Sequence, residues 1–192
     1  MTLSKTVAII GLAVFLASCA SAPPPPPKAY CTDGRELPAW TMQGGMAFPA
    51  DIGKVFYGVG MASNISNPSL LREAADNRSI SEMAKQFEVY TSSLMNDYMA
   101  STAAGDKSSE EQHVETVKKT VVKQTLNGVM IVDRCQDRGT GMFYSLSRLD
   151  IDKFKDAISK KAELSDKMKE YVRNNANAMA EKLEKEEAKP RH

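Results

Sequence analysis

Residues 55–61 read Val55-Phe56-Tyr57-Gly58-Val59-Gly60-Met61. Val55, Tyr57, Val59 and Met61 recur at every second position, and that period predicts a β-strand with its large side chains on one face. Gly58 and Gly60 fall on the other face, and glycines inside a strand mark a bulge or a helix packed closely above it. A helix is predicted directly downstream. Asn67-Pro68 is an N-cap followed by proline in the first turn, and Leu70, Leu71, Ala74, Met83, Ala84 and Phe87 return at helical spacing while Asp76, Arg78 and Lys85 lie elsewhere.

Outward from this unit, a second strand is predicted to begin near Glu88 and to run through Val89 and Thr91 towards Tyr98, ahead of a Gly105-Asp106 turn. Ser108 with Glu111 has capping-box spacing, and Val114, Val117, Val121 and Leu126 continue at near-helical intervals until Asn127-Gly128. The five β-branched residues within 116–122 keep a long strand as the competing reading of 110–126. Residues 129–136 and 142–149 read as two strands joined through Arg138-Gly139-Thr140-Gly141, a hairpin. Asp150 is placed to cap a helical segment that reaches about residue 187 on a stripe of Ile151, Phe154, Ile158, Leu164, Met168, Val172, Met179 and Leu183, unless Ser165-Asp166 starts a second helix. Glu163 with Lys167 and Glu181 with Lys185 make its other face solvated. The order predicts an α+β fold: a small, mostly antiparallel sheet with helices packed on one face and a long charged C-terminal helix.

The N-terminus carries an address. Residues 1–18 combine Lys5, an uncharged run over 7–17 and small residues before Cys19, the parts of an export leader, and a run of 11 residues is shorter than the roughly 20 needed to span a bilayer. Leu16-Ala17-Ser18-Cys19 resembles the lipobox of bacterial lipoproteins. That resemblance implies cleavage before Cys19, diacylglycerol on its sulfur and acylation of the new amine, chains that hold a soluble domain on a membrane at about 0.8 kcal/mol per buried methylene. Ala20 rather than Asp after the lipidated cysteine points to the outer membrane by the same resemblance. Residues 19–37 then form a tether in which Pro23 to Pro27 favour a polyproline II rod, holding the domain roughly 20 to 30 Å from the lipid.

Within 38–150, Pro38-Ala39-Trp40, Gly58-Val59-Gly60-Met61-Ala62, the helix through Ala74, Ala75 and Ala84, residues 129–133 after Gly128, and Tyr144-Ser145-Leu146 before Asp150 follow one another behind the lipobox. In that order and spacing they resemble the LPP-twenty family of bacterial envelope lipoproteins, which includes a flagellar lipoprotein. The resemblance implies a small βαββ-type domain that can assemble into rings, and it supplies no catalytic set to carry over. Cys135 stands where the family tends to have an aromatic residue, and the charged extension 151–192 is not a family essential.

The chemistry available to 192 residues is sparse. Lysine and arginine number 25 and aspartate and glutamate 24, and removing Lys5 with the leader balances them, so the basic surplus that nucleic acid requires is missing. Two histidines, His113 and His192, and three cysteines are present, without CxxC, HExxH or GxSxG, so no metal site, catalytic set or cofactor beyond the acyl chains of Cys19 is predicted. His113, among Glu111, Gln112 and Glu115, reads as solvated. Gly58-Val59-Gly60 lacks the strand-turn-helix setting of a dinucleotide loop. Tyr30 and Trp40 have the surface to stack on cell-wall sugars, but an aromatic that pins the chain where it enters the domain is the commoner use.

With Cys19 lipidated, Cys31 and Cys135 are the remaining thiols of an exported protein, and an oxidising compartment favours a disulfide between them. Cys135 is expected on the same pleat face as Val129 and Ile131. The alternative, a buried Cys135 thiol with Cys31 free or linked between chains, stays open because spacing does not bring two Cα atoms within reach. Two functions follow. One is a non-catalytic outer-membrane lipoprotein that oligomerises or scaffolds an envelope assembly, flagellum-associated as in the family. The other is a lipid-tethered module that contacts peptidoglycan or a cell-wall synthase.

Overall fold

The structure, a computed structural model, describes residues 28–101, 122–123, 125–162, 164–187 and 189. A single turn of helix, α1 (Trp40–Gln43), and two 3-10 turns (Gly44–Ala47 and Pro49–Asp51) lead into β1 (Val55–Ala62) and the long α2 (Pro68–Ser101). The hairpin β2 (Met130–Gln136) and β3 (Phe143–Asp150) follows, then α3 (Ile151–Ser159) and α4 (Asp166–Glu187). The sheet is antiparallel throughout with β3 in the centre, in the order β1-β3-β2. Helices α2, α3 and α4 cover one face, and α1 with the chain leading to it closes the other. The fold is α+β.

The alternation read in 55–61 decides how the layers meet. A methyl group at Gly60 would lie 2.1 Å from the Ala75 carbonyl oxygen, and one at Gly58 2.3 Å from that of Ser79, so α2 rests on the strand backbone itself. The partners across the sheet are also small: Gly58 faces Ser147 and Gly60 faces Ser145. Ser147 donates to the Ser79 carbonyl at 3.0 Å. Asn67 starts α2 as expected, its side-chain oxygen accepting the Ser69 N–H at 2.9 Å.

Where α2 leaves the glycines, bulky residues take over. Phe56, Phe87, Tyr90 and Phe154 form an aromatic cluster with centroid separations of 5.0 Å for Phe56 and Tyr90 and 5.3 Å for Phe87 and Phe154. Leu149, Ile158, Met168, Val172 and Ala176 enclose it. The Tyr90 hydroxyl donates to the Ala176 carbonyl of α4 at 3.2 Å, and burial pushes its ionisation far above the ordinary phenol range.

Three expectations are corrected and one open alternative is decided. The predicted strand from Glu88 to Tyr98 is the second half of α2. Phe87, Tyr90, Thr91, Leu94, Met95 and Tyr98 are all buried at helical three- and four-residue steps, whereas a strand would divide them between two faces, so packing against α3 and α4 overrides the β-propensity of Val89 and Thr91. Of the two readings of the C-terminal segment, the second holds: a new helix begins at Ser165-Asp166, where the Ser165 hydroxyl accepts the Met168 N–H at 3.3 Å. Asp150 precedes α3 but its carboxylate makes no cap; it accepts from Arg148 at 2.7 Å instead. Finally, a bulge between Ile131 and Asp133 turns Cys135 to the face opposite Ile131: Ile131 pairs with Ser147 under α2, while Cys135 pairs with Tyr144 on the other side.

Residues 122, 123, 125 and 126 are helical. The rest of 110–126, the leader, Cys19, the prolines, the Gly105-Asp106 turn, the Ser108 and Glu111 cap, His113 and Glu163 lie outside the described residues.

Candidate functional site

The candidate site is the junction where the chain enters the domain. Residues 29–37 fold back on themselves around Gly34, whose φ of 94° suits glycine, with the Cys31 N–H donating to the Arg35 carbonyl and the Leu37 N–H to that of Ala29, both at 2.8 Å. This small hairpin lies along the end of β2. The Thr32 N–H donates to the Gln136 carbonyl at 2.8 Å and the Arg138 N–H to that of Tyr30 at 2.9 Å. Cys31 and Cys135 are joined there by a disulfide, their Cα atoms 5.4 Å apart and 104 positions apart in sequence. Both cysteines are buried among Trp40, Val55, Tyr57, Tyr144 and Leu146.

Charge completes the fastening. Arg35 grips Asp133 with both fork nitrogens, at 2.9 and 2.8 Å, while its Nε donates to Asp33 at 2.8 Å and its fork also reaches the Arg134 carbonyl. Trp40 donates its indole N–H to the same Asp133 carboxylate at 2.9 Å. The next residue points to the opposite face. Arg134 holds Asp76 of α2 at 3.0 and 2.9 Å, and Asp76 also accepts the Ser145 hydroxyl at 2.5 Å. Consecutive residues of one strand therefore tie the sheet to the incoming chain on one side and to the long helix on the other.

Burial is the largest single influence on Asp133 and on Asp76 and works against their charge. The hydrogen bonds from Arg35 and Trp40 on the one, and from Arg134 and Ser145 on the other, outweigh it and hold both carboxyls below the usual range. The same pairing with Asp133 raises Arg35 further above its ordinary value. Asp137, in the β2–β3 turn, is lowered by the Gly139 N–H that it accepts at 2.7 Å. Bidentate arginine–carboxylate pairs fix orientation as well as distance. What this arrangement does chemically is hold geometry.

The junction unites Cys31, Cys135 and Trp40, which is 4% exposed and acts as the pin expected of it, whereas Tyr30 stays 43% exposed. The sequence reading singled out none of Arg35, Asp133, Arg134, Asp76 and Ser145 as a site residue. A signal was present in Asp133-Arg134, two adjacent opposite charges directly after the apolar run Met130-Ile131-Val132 of the strand. Among the described residues no three His, Cys, Asp or Glu side chains gather as metal ligands, and no helix is long and apolar enough to cross a membrane. No family model matches the chain, and comparison with curated proteins and with solved structures finds no match either.

Proposed function

We propose that this chain is a non-catalytic bacterial lipoprotein of LPP-twenty type, anchored in the outer membrane through Cys19, whose domain is a self-assembling or scaffolding part of the cell envelope, flagellum-associated. The observation that carries the reading is the junction. A disulfide, backbone bonds and a bidentate ion pair all fasten the chain at the point where a lipid tether would pull on the domain. A scaffold that transmits position or load from a membrane needs such a stiff root, while a freely ranging binder does not. The sheet supplies a joint as well: β1 and β2 are its outer strands, and Met130 and Val132 are 48% and 46% exposed on the part of β2 that residues 30–32 leave uncovered.

Acyl mass on Cys19, and the size of the full chain in mild detergent by light scattering, test the two halves of this proposal. Cys19→Ser is expected to abolish processing and membrane retention, and the wild-type protein to run as a defined assembly of many copies. A Cys19→Ser protein that is still processed and membrane-bound without acyl mass contradicts the anchor. A monomer that co-sediments with peptidoglycan or a cell-wall synthase supports the tethered-module alternative instead.

A further inference from the structure

A recess of about 220 Å³ opens between the two 3-10 turns, β1, the middle of α2 and the last turn of α4. Its apolar lining includes Val55 and the ring of Phe48, which stacks on Tyr57 with centroids 4.3 Å apart. Its polar lining is acidic or neutral, with Asp51, Glu184 and Gln86 present and neither lysine nor arginine among the residues that form it. The volume is below the roughly 300 Å³ at which sites for drug-sized ligands begin, so it admits one small ligand or one side chain.

The charge inside is fixed by its neighbours. The Tyr57 hydroxyl donates to Asp51 at 2.6 Å, and burial followed by that hydrogen bond pushes Tyr57 up to about 12, so the phenol keeps its proton and stays a donor to the Asp51 carboxyl. Arg148, across the strand pair from Tyr57, is held first by Asp150 at 2.7 Å and also feels the charge of Asp51 without a salt bridge to it, and the Lys54 ammonium donates to the Ala50 carbonyl at 3.2 Å. Among the described residues no cation makes a salt bridge with Asp51. Glu184 forms a wall by accepting the Gly53 N–H at 2.8 Å. A site built this way repels anions and complements a cation on an apolar stem, the ring faces serving the stem and the carboxylate the head.

We propose that this recess binds an ammonium group borne on a short aliphatic stem, with the stem against Phe48 and Tyr57 and the ammonium at Asp51. Two sources share that chemistry, a free diamine and a lysine-type side chain on a peptide. The inference does not depend on the lipoprotein reading.

The test is a titration of the full chain in detergent micelles, followed by amide chemical shifts, with cadaverine, Nα-acetyl-lysine methylamide and the neutral control 1-pentanol. Saturable shifts centred on Gly45, Ile52 and Tyr57 are expected with the amines. Response to both amines means that the site reads the ammonium whatever carries it, and response to one alone identifies the source. Asp51→Asn is expected to weaken binding about 10- to 100-fold, the range for losing a charge-assisted hydrogen bond. Gly45→Val leaves Asp51 in place, and its Cβ would sit at an ordinary 3.5 Å from that of Tyr57, so it should block the recess in a folded protein. Pentanol matching the amines, full binding by Asp51→Asn, or no saturable shift with either amine overturns the proposal.

Discussion

Substituting Gly60 by alanine tests the layer contact on which the fold rests. The added Cβ would lie 2.1 Å from the Ala75 carbonyl oxygen and 2.3 Å from the Ser79 nitrogen, both backbone atoms of α2 that no rotamer change removes. To reach the 3.4 Å of an ordinary contact, helix and strand must separate by roughly 1.3 Å, the difference between 3.4 and 2.1 Å. Gaps of about 0.5 to 1 Å already forfeit a quarter to a half of each dispersion contact, and the buried Ala75, Ser79 and Met83 all line this seam. Overpacking usually costs about 1 to 3 kcal/mol, and an obstruction made of backbone belongs at or above the top of that range, so about 3 kcal/mol is expected out of a typical total of about 5 to 15. In urea monitored by circular dichroism, with a slope of about 2 kcal/mol/M, the midpoint should fall by about 1.5 M. Gly45→Ala is the control, because its Cβ would meet only Tyr57 at 3.5 Å and should cost under about 0.5 kcal/mol. If Gly60→Ala unfolds together with Gly45→Ala and wild type, α2 does not rest on the strand backbone.

Reducing the Cys31–Cys135 bond reopens a loop of 104 residues and should lower stability by up to about 4.7 kcal/mol on the chain-entropy account, read as a fall in the urea midpoint with dithiothreitol; Cys31 and Cys135 both alkylatable in a non-reduced digest would count against the bond. Asp133→Ala strands the Arg35 fork and the Trp40 indole N–H, so a loss of about 2 to 3 kcal/mol is expected together with a red shift in the emission of the single tryptophan. Because Asp76 and Asp133 ionise below their unfolded value of about 3.9, the stability they contribute is fully present above that pH and is lost as pH falls through their lowered folded values. Acid titrations of unfolding should therefore steepen below about pH 4, and an Asp76→Asn, Asp133→Asn double variant should flatten that limb; an unchanged limb would show that neither pair is linked to folding.

The candidate site was half legible. Cysteine arithmetic nominated Cys31 and Cys135, since three thiols with Cys19 read as lipidated leave one pairing, and Trp40 stood out as a large aromatic just inside the domain. Nothing local connects Arg35 to Asp133 or Arg134 to Asp76, because those pairs join positions 98 and 58 residues apart and exist only once three elements have met. The bulge between Ile131 and Asp133 had the same hidden character. It reverses which face Cys135 occupies, and no glycine or proline announces it.

Alternation at 55–61, the Asn67-Pro68 start, the 129–149 hairpin and the apolar stripe beyond Asp150 are short-range patterns, each set by the two- or 3.6-residue period of its own backbone, and from them alone the α+β class follows, while the choice between a bulge and a close helix at Gly58 and Gly60 was settled by the contact with α2. Tertiary contact decided what short-range preference left balanced. Residues 88–98 carry β-formers and helix-formers in mixture, and only the presence of α3 and α4, which bury Tyr90, Leu94 and Tyr98 along one side, makes the helix the lower free-energy state. The Asp150 carboxylate had two partners within reach, the free amides of α3 and the Arg148 guanidinium, and the sheet that places Arg148 beside it gave the charge to the arginine.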